Sequence, residues 1–208
     1  MKTRIVFDMA AVLFHWQPRQ MLMRVLPQWA GDEARAAHWE AELFQGWQGD
    51  WADFDRGLIG VNDVVHRIAR RSGLPQADVR LAVQAIPREL QPMPDTVALL
   101  HRLADAGHVL HFLSNMPRPF VPVLHRHAFF KRFASGIWSG QVGLSKPQDE
   151  IFALAEERFD ATPEELMFLD DSRANVEAAR ARGWQALLFT DAAAAETTLR
   201  HSGVTALA

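Results

Sequence analysis

The sequence contains no cysteine. Disulfides, thiolate metal sites and a cysteine nucleophile are therefore excluded from its chemistry. No apolar run is long enough to span a bilayer, and there is no internal repeat, low-complexity segment or block of like charge. The formal net charge is only −3, so bulk electrostatics gives no reason to expect nucleic acid or an anionic membrane as a partner. The N-terminal residues run directly into Arg4-Ile5-Val6-Phe7 and meet Asp8, so no signal peptide is expected, and the cytoplasm is the expected location.

What is present is ordinary in bulk and informative in order. A chain of 208 residues, 49% hydrophobic and 23% charged, suits one large domain or a core with a modest insertion. The short run Ile5-Val6-Phe7 reads as a buried strand delivering Asp8 at its C-terminal end, where open α/β sheets bind ligands. From about Phe14 to Pro92 the pattern is helical. Met21, Leu22, Val25 and Leu26 fall at helical spacing. Asp32-Glu33 opens a helix to about Phe44. Asn62 is expected to cap a helix stopped at Ser72-Gly73, and Pro75 starts another to Leu90. After Pro92 and Pro94, strands and helices alternate: His108–Leu113, Phe133–Trp138, Leu166–Leu169 and Gln185–Phe189 are the expected strands, Asp191 caps a last helix, and Gln141–Pro147 is expected to be a loop. The alternation implies a parallel sheet.

Four strand-linked stretches carry chemistry: Asp8, Ser114-Asn115, Lys146 and Asp170-Asp171. Each alone has a bland reading. Asp8 serves a turn, Ser114 caps a helix, Lys146 is a solvated lysine, and the acidic pair caps the helix that follows it. Together, at strand ends and in this order, they read as one site. Three carboxylates at one sheet edge repel one another unless a cation lies among them, and hard oxygen donors without His or Cys favour Mg²⁺. A carboxylate–Mg²⁺ centre beside a lysine and a hydroxyl suits a phosphoryl group, with a carboxylate able to attack phosphorus.

The four motifs are Val6-Phe7-Asp8-Met9-Ala10-Ala11-Val12-Leu13, Phe112-Leu113-Ser114-Asn115, Gly143-Leu144-Ser145-Lys146-Pro147 and Phe168-Leu169-Asp170-Asp171-Ser172-Arg173-Ala174-Asn175-Val176. In these the chain resembles the haloacid dehalogenase superfamily over essentially its whole length. Within it, the chain looks like the branch that contains bacterial α-D-glucose-1-phosphate phosphatase and the N-terminal phosphatase domain of soluble epoxide hydrolase. The resemblance implies an α/β fold with a Rossmann-like parallel core at 1–14 and 93–208 and a helical cap inserted at 15–92. It implies a Mg²⁺-dependent phosphomonoester hydrolase acting on a small phosphorylated metabolite, such as a sugar phosphate, as monomer or homodimer. Asp8 matches the nucleophile and a metal ligand, the Ala10 carbonyl a second ligand, Asp171 a direct ligand and Asp170 one acting through water. Ser114 and Asn115 match the phosphate-binding pair, and Lys146 the lysine that steadies nucleophile and phosphate.

One departure stands out. Members of the superfamily usually carry a second Asp two residues after the nucleophile, which protonates the leaving oxygen. Here that residue is Ala10, so an acid from elsewhere is needed; His15 is one candidate. Trp47, Trp51 and Phe54 are expected either to line the substrate pocket or to pack the cap on the core. Three other readings compete. A phospho-ligand binder disabled by Ala10 is one. A 2-haloacid dehalogenase would need an arginine near motif one that His15-Trp16 does not provide. A receiver-type signalling domain would carry its acidic pair on the first strand.

Overall fold

The computed structural model describes residues 3–205. The outermost ends of the expected core, 1–2 and 206–208, lie outside the described residues. Five parallel strands form one sheet in the order β3-β2-β1-β4-β5: β1 (Arg4–Phe7), β2 (Val109–Ser114), β3 (Phe133–Trp138), β4 (Leu166–Asp170) and β5 (Gln185–Leu188). The chain steps from β1 outward to β2 and β3, then returns to the other side of β1 for β4 and β5. β1 is thus the central strand, at the point where the winding reverses, and the crevice beyond its C-terminal end is where such sheets bind ligands.

Period-two alternation explains why these runs are strands buried on both faces. Ile5 and Phe7 of β1, Leu110 and Phe112 of β2, and Met167 and Leu169 of β4 share one apolar cluster. Val6, Leu113, Leu166 and Phe168 point to the other face and pack with Ile151, Phe152 and Phe159 of the helix Asp149–Phe159. A strand covered on both sides reads as a continuous apolar run, as Ile5-Val6-Phe7 does.

Between β1 and the rest of the sheet stand five helices, α1 (Pro18–Val25), α2 (Glu33–Phe44), α3 (Gly49–Asp55), α4 (Val61–Ser72) and α5 (Gln76–Glu89). Among the described residues no strand of the sheet falls within this stretch; only an isolated bridge from Phe14 to Pro92 ties its two ends together. Its buried residues, including Leu22, Leu43, Val65, Ile68 and Val83, join the cluster on the Phe7 face of the sheet, so the apolar interior is continuous. Then come α6 (Pro94–Asp105) before β2, α7 (Val121–Leu124) before β3, α8 (Ser139–Val142) and α9 (Asp149–Phe159) before β4, α10 (Arg173–Ala181) before β5, and α11 (Ala192–His201) at the end.

Several local expectations need correction. Asn62 does not cap α4: the cap position is Gly60, whose N–H donates to Asp63, and Asn62 sits inside the helix accepting from Arg80. The start of the expected loop at Gln141 belongs to the helical turn α8, which ends at Gly143 in the left-handed conformation. The first helix, expected from the spacing of Met21, Leu22, Val25 and Leu26, begins earlier and ends sooner, at Pro18–Val25, because proline suits a first helical position. Asp32 and Asp191 do cap their helices, accepting from the N–H groups of Arg35 and Ala194.

Candidate active site

The site is assembled by strand ends. Phe7 pairs with Leu169 across β1 and β4, so Asp8 and Asp170 follow side by side, and the Asp8 N–H donates to the Leu169 carbonyl at 2.9 Å. β2 ends in Ser114 on the opposite flank of β1. After Asp8 the chain turns sharply. The Met9 carbonyl accepts from the N–H groups of Val12, Leu13 and Phe14, and Ala11 adopts positive φ. None of these turn hydrogen bonds ends on the Ala10 carbonyl.

Lys146 is almost wholly buried, which is rare for a lysine unless it is paired. It is paired twice: Nζ lies 2.8 Å from Asp8 Oδ1 and 2.6 Å from Asp170 Oδ2. Burial opposes its charge, but Asp170 and Asp8 outweigh that and hold its pKa above the usual lysine value. Asp170 is fully enclosed. Besides Lys146 it accepts from the Ser172 N–H at 2.8 Å and from the Asn175 side-chain amide at 3.0 and 3.2 Å. Its oxygens are thus occupied by protein donors, whereas Asp171 faces the cavity.

One lysine cannot balance this set of acids. Asp8, Asp170 and Asp171 bring carboxylate oxygens within 4.8 Å of one another. Burial drives the Asp8 carboxyl above the ordinary range, against the pull of Lys146, and Asp170 and Asp171 add to the rise. Asp171 is likewise pushed up by burial and by Asp170. An all-oxygen donor set with surplus negative charge fits a hard divalent cation, with Asp8, Asp171 and the free Ala10 carbonyl as the available donors.

A cavity of about 320 Å³ opens above these groups. Asp8, Ala10, Asn115, Lys146, Asp171 and Asn175 lie at its sheet end, and Trp16, Trp47, Trp51, Ile86, Leu90, Met116 and Phe120 form apolar walls. Ser114 and Asp170 stand behind the lining; Ser114 Oγ is buried without a hydrogen-bond partner among the described residues. The Asn115 side chain does not reach freely into the cavity. Its Oδ1 accepts from the Lys146 N–H and its Nδ2 donates to the Lys146 carbonyl, each at 2.9 Å. Phe54 is also absent from the cavity wall: it is fully buried against Phe120, so of the aromatic trio only Trp47 and Trp51 face the cavity.

His15, expected as one possible acid, is exposed and does not line the cavity. Besides Asp8 and Asp171, the cavity is lined by one more acid, Asp55, at the end of α3. Only 6% of it is exposed, and burial, reinforced by Asp8 and opposed by Lys146, raises its carboxyl to about 8. Sequence reasoning passed over Asp55 and also Asn175. The signal for Asn175 was its position in the first turn after the acidic pair, facing back toward it. Asp55 carries no such signal in the sequence; only the structure shows that Asp53, two residues earlier, pairs with Arg56 and Arg67 while Asp55 has no basic partner among the described residues.

A carboxylate just past the central strand, paired with a buried lysine and set beside an acidic pair, suits a carboxylate-centred hydrolase of parallel α/β architecture. The chain belongs to the haloacid dehalogenase-like hydrolases, whose family model matches residues 4–183. It is similar to the sesquiterpene phosphatase astK of Aspergillus oryzae, 28% identical over 200 residues covering 94% of both chains. A shorter match, 37% identical over 90 residues, links it to the phosphoglycolate phosphatase of Salmonella paratyphi A; it covers 43% of this chain and 34% of that protein. In fold it resembles a haloacid dehalogenase family enzyme of Bacteroides thetaiotaomicron solved with magnesium and inorganic phosphate. That likeness has a TM-score of 0.69 at 20% identity, over 91% of this chain and 95% of the other.

Proposed function

We propose that this hydrolase cleaves phosphomonoesters, with Asp8 as the group that accepts the phosphoryl and residues 15–92 as a helical cap over the site. The observation that carries the reading is the placement of Asp8. Its carboxylate sits at the end of the central strand, on the cavity floor, 2.8 Å from a buried lysine and beside Asp170 and Asp171. Asp8 attacks phosphorus in line, and the ester oxygen departs as the Asp8–phosphorus bond forms; water then cleaves that bond and frees phosphate. Lys146 holds the attacking carboxylate in position and offsets its repulsion from the phosphoryl oxygens. The Ser114 hydroxyl, just behind the lining and unpartnered among the described residues, is the donor available to the phosphoryl group together with the Asn115 main chain, while the Asn115 side chain positions Lys146. Asp8, Asp171 and the Ala10 carbonyl would hold Mg²⁺, with Asp170 behind them orienting Lys146. The chemistry the ion supplies when bound is neutralisation of phosphoryl charge.

The walls speak to the rest of the substrate. They are mainly tryptophan, aliphatic and phenylalanine side chains, with Gln48 and Asp55 the polar exceptions on the helical side. Such a surface gains most from an apolar or aromatic body and offers few partners for sugar hydroxyls. A hydrocarbon or aryl phosphate therefore fits better than a sugar phosphate, and the name of the Aspergillus relative supports this choice. The dehalogenase alternative finds no support in the cavity, because no arginine is among its lining residues.

The test is phosphate release from a panel of isoprenoid, aryl, alkyl and sugar phosphates with Mg²⁺ present. Wild type should turn over the apolar esters and Asp8→Asn should turn over none, with the fold intact by circular dichroism. Equal, background-level release by both proteins across the panel would instead establish a binding protein.

A further inference from the structure

The site has a nucleophile, a charge-neutralising lysine and candidate metal donors, but at position 10, where the superfamily usually places its proton donor, stands Ala10. A phosphomonoester with an alkyl leaving group leaves as an alkoxide, and that step is slow without an acid at the departing oxygen. The cavity contains one further carboxyl. Asp55 lines the same space as Asp8, Ala10 and Lys146 but comes from the opposite side, at the C-terminal end of α3. Its side chain makes no ion pair or hydrogen bond among the described residues, although neighbouring acids do; Asp50 and Asp53 are bound by Arg67, Arg71 and Arg56. A buried carboxyl left unpartnered while its neighbours are paired is not explained by stability, since an apolar residue would cost less there.

Asp55 is also held in place. The Ser139 hydroxyl donates to the Asp55 carbonyl at 2.6 Å and accepts from the Met116 N–H at 2.8 Å, so one fully buried serine fastens the end of α3 to the loop after β2. Just beyond, Gly57 has positive φ, and a Cβ there would stand 2.3 Å from the Gly140 carbonyl oxygen, so only glycine permits this close approach. Gly140 is in turn gripped by Arg118, whose Nε donates to its carbonyl at 2.5 Å. These contacts join α3 to the sheet side of the cavity at the residue that carries the carboxyl.

We propose that Asp55 is the general acid and base of this enzyme, replacing from the helical side the carboxylate that Ala10 cannot supply. The proposal rests on the phosphomonoesterase reading above. In the first half-reaction the Asp8 oxygen bonds to phosphorus, the phosphorus–ester oxygen bond breaks, and the Asp55 proton passes to that oxygen, releasing the alcohol. In the second, Asp55, now a carboxylate, takes a proton from water as the water oxygen bonds to phosphorus. The Asp8–phosphorus bond breaks, giving inorganic phosphate, the Asp8 carboxylate and Asp55 protonated once more. Its raised pKa means that it enters the cycle carrying the proton it must give.

The experiment compares wild type, Asp55→Asn and Asp55→Glu on aryl phosphates of graded leaving-group acidity and on an alkyl phosphate, with Mg²⁺. Asparagine is isosteric and neutral, so its thermal midpoint should equal or exceed wild type. The expected result is differential. Asp55→Asn should lose about 10²–10⁴-fold on the alkyl ester, the usual worth of a general acid, and far less on 4-nitrophenyl phosphate, whose leaving group needs no proton. Asp55→Glu should recover part of the loss, and adding Ala10→Asp to Asp55→Asn should recover more. An equal loss on every ester, or none on the alkyl ester, overturns the role of Asp55 while leaving the Asp8 reading standing. If wild type and Asp8→Asn are alike on 4-nitrophenyl phosphate, the phosphatase reading itself falls and takes this role with it.

Discussion

Asn115 holds Lys146 by its main chain, with two 2.9 Å hydrogen bonds between one side-chain amide and one residue's N–H and carbonyl. The end of β2 is thereby stitched to the lysine loop, and Lys146 is aimed at Asp8 and Asp170 from a fixed backbone. Removing the amide leaves a partly buried N–H and carbonyl without partners. Asn115→Ala should therefore destabilise the protein by about 1–3 kcal/mol and lower kcat more than it raises KM, since Lys146 would lose its aim. Steady-state kinetics beside a denaturant melt check both; an unchanged kcat would show that Lys146 needs no such support.

The acidic pair divides its labour. Asp170 is fully occupied by Lys146, Ser172 and Asn175, and Asp171 is free toward the cavity. Asp171→Ala should reduce Mg²⁺ affinity measured by calorimetry by at least tenfold. That loss should exceed the one from Asn175→Ala, which frees one side of Asp170 and should stay within the about 10–100-fold usual for outer ligand-orienting residues. If Asp171→Ala binds Mg²⁺ as wild type does, the ligand assignment is wrong.

A second buried titratable group lies far from the chemistry. His111 on β2 stacks on Phe159 with ring centroids 4.2 Å apart and shares a 2.9 Å hydrogen bond with Ser135. Burial, aided by the charge of Arg4, lowers its pKa to about 4. The folded state thus keeps His111 neutral while the unfolded chain protonates near 6.5. Between those values the unfolded state binds the extra proton, so stability falls as pH drops from about 6.5 to about 4, by at most about 1.4 kcal/mol per pH unit from this group. Denaturant midpoints across that window should show a shallower acid slope in His111→Phe than in wild type; parallel slopes would exclude the histidine as a cause.

Much of this architecture was readable because the determinants are local. Ile5-Val6-Phe7, Leu166–Leu169 and the run ending in Ser114 are short apolar segments bounded by polar groups. A parallel sheet necessarily gathers such C-terminal ends at one edge, so Asp8, Ser114, Lys146 and Asp170-Asp171 could be expected together. What was not readable depends on packing between distant segments. Asp55 looks like any acid in a Trp-rich stretch until Ser139, 84 residues away, fastens α3 above Asp8. His15 is near Asp8 in sequence yet turns outward, with its N–H donating to Gln91. Asn115 reads as a phosphate ligand from its motif, but its amide is consumed by a loop 31 residues further on. Phe54 and Trp51, three apart on one short helix, differ in exposure to the cavity, Phe54 packing on Phe120 and on Trp51 itself.

In the proposed reaction Asp8 carries the phosphoryl group between substrate and water. Rapid mixing of enzyme, Mg²⁺ and 4-nitrophenyl phosphate, acid quenching within a single turnover, and peptide mass spectrometry test it directly. A phosphorylated peptide containing Asp8 should appear with the burst of 4-nitrophenol, decay as phosphate is released, and never form in Asp8→Asn. Phosphate released at the wild-type rate with no phosphorylated Asp8 at any quench time, or by Asp8→Asn as fast as by wild type, would contradict it.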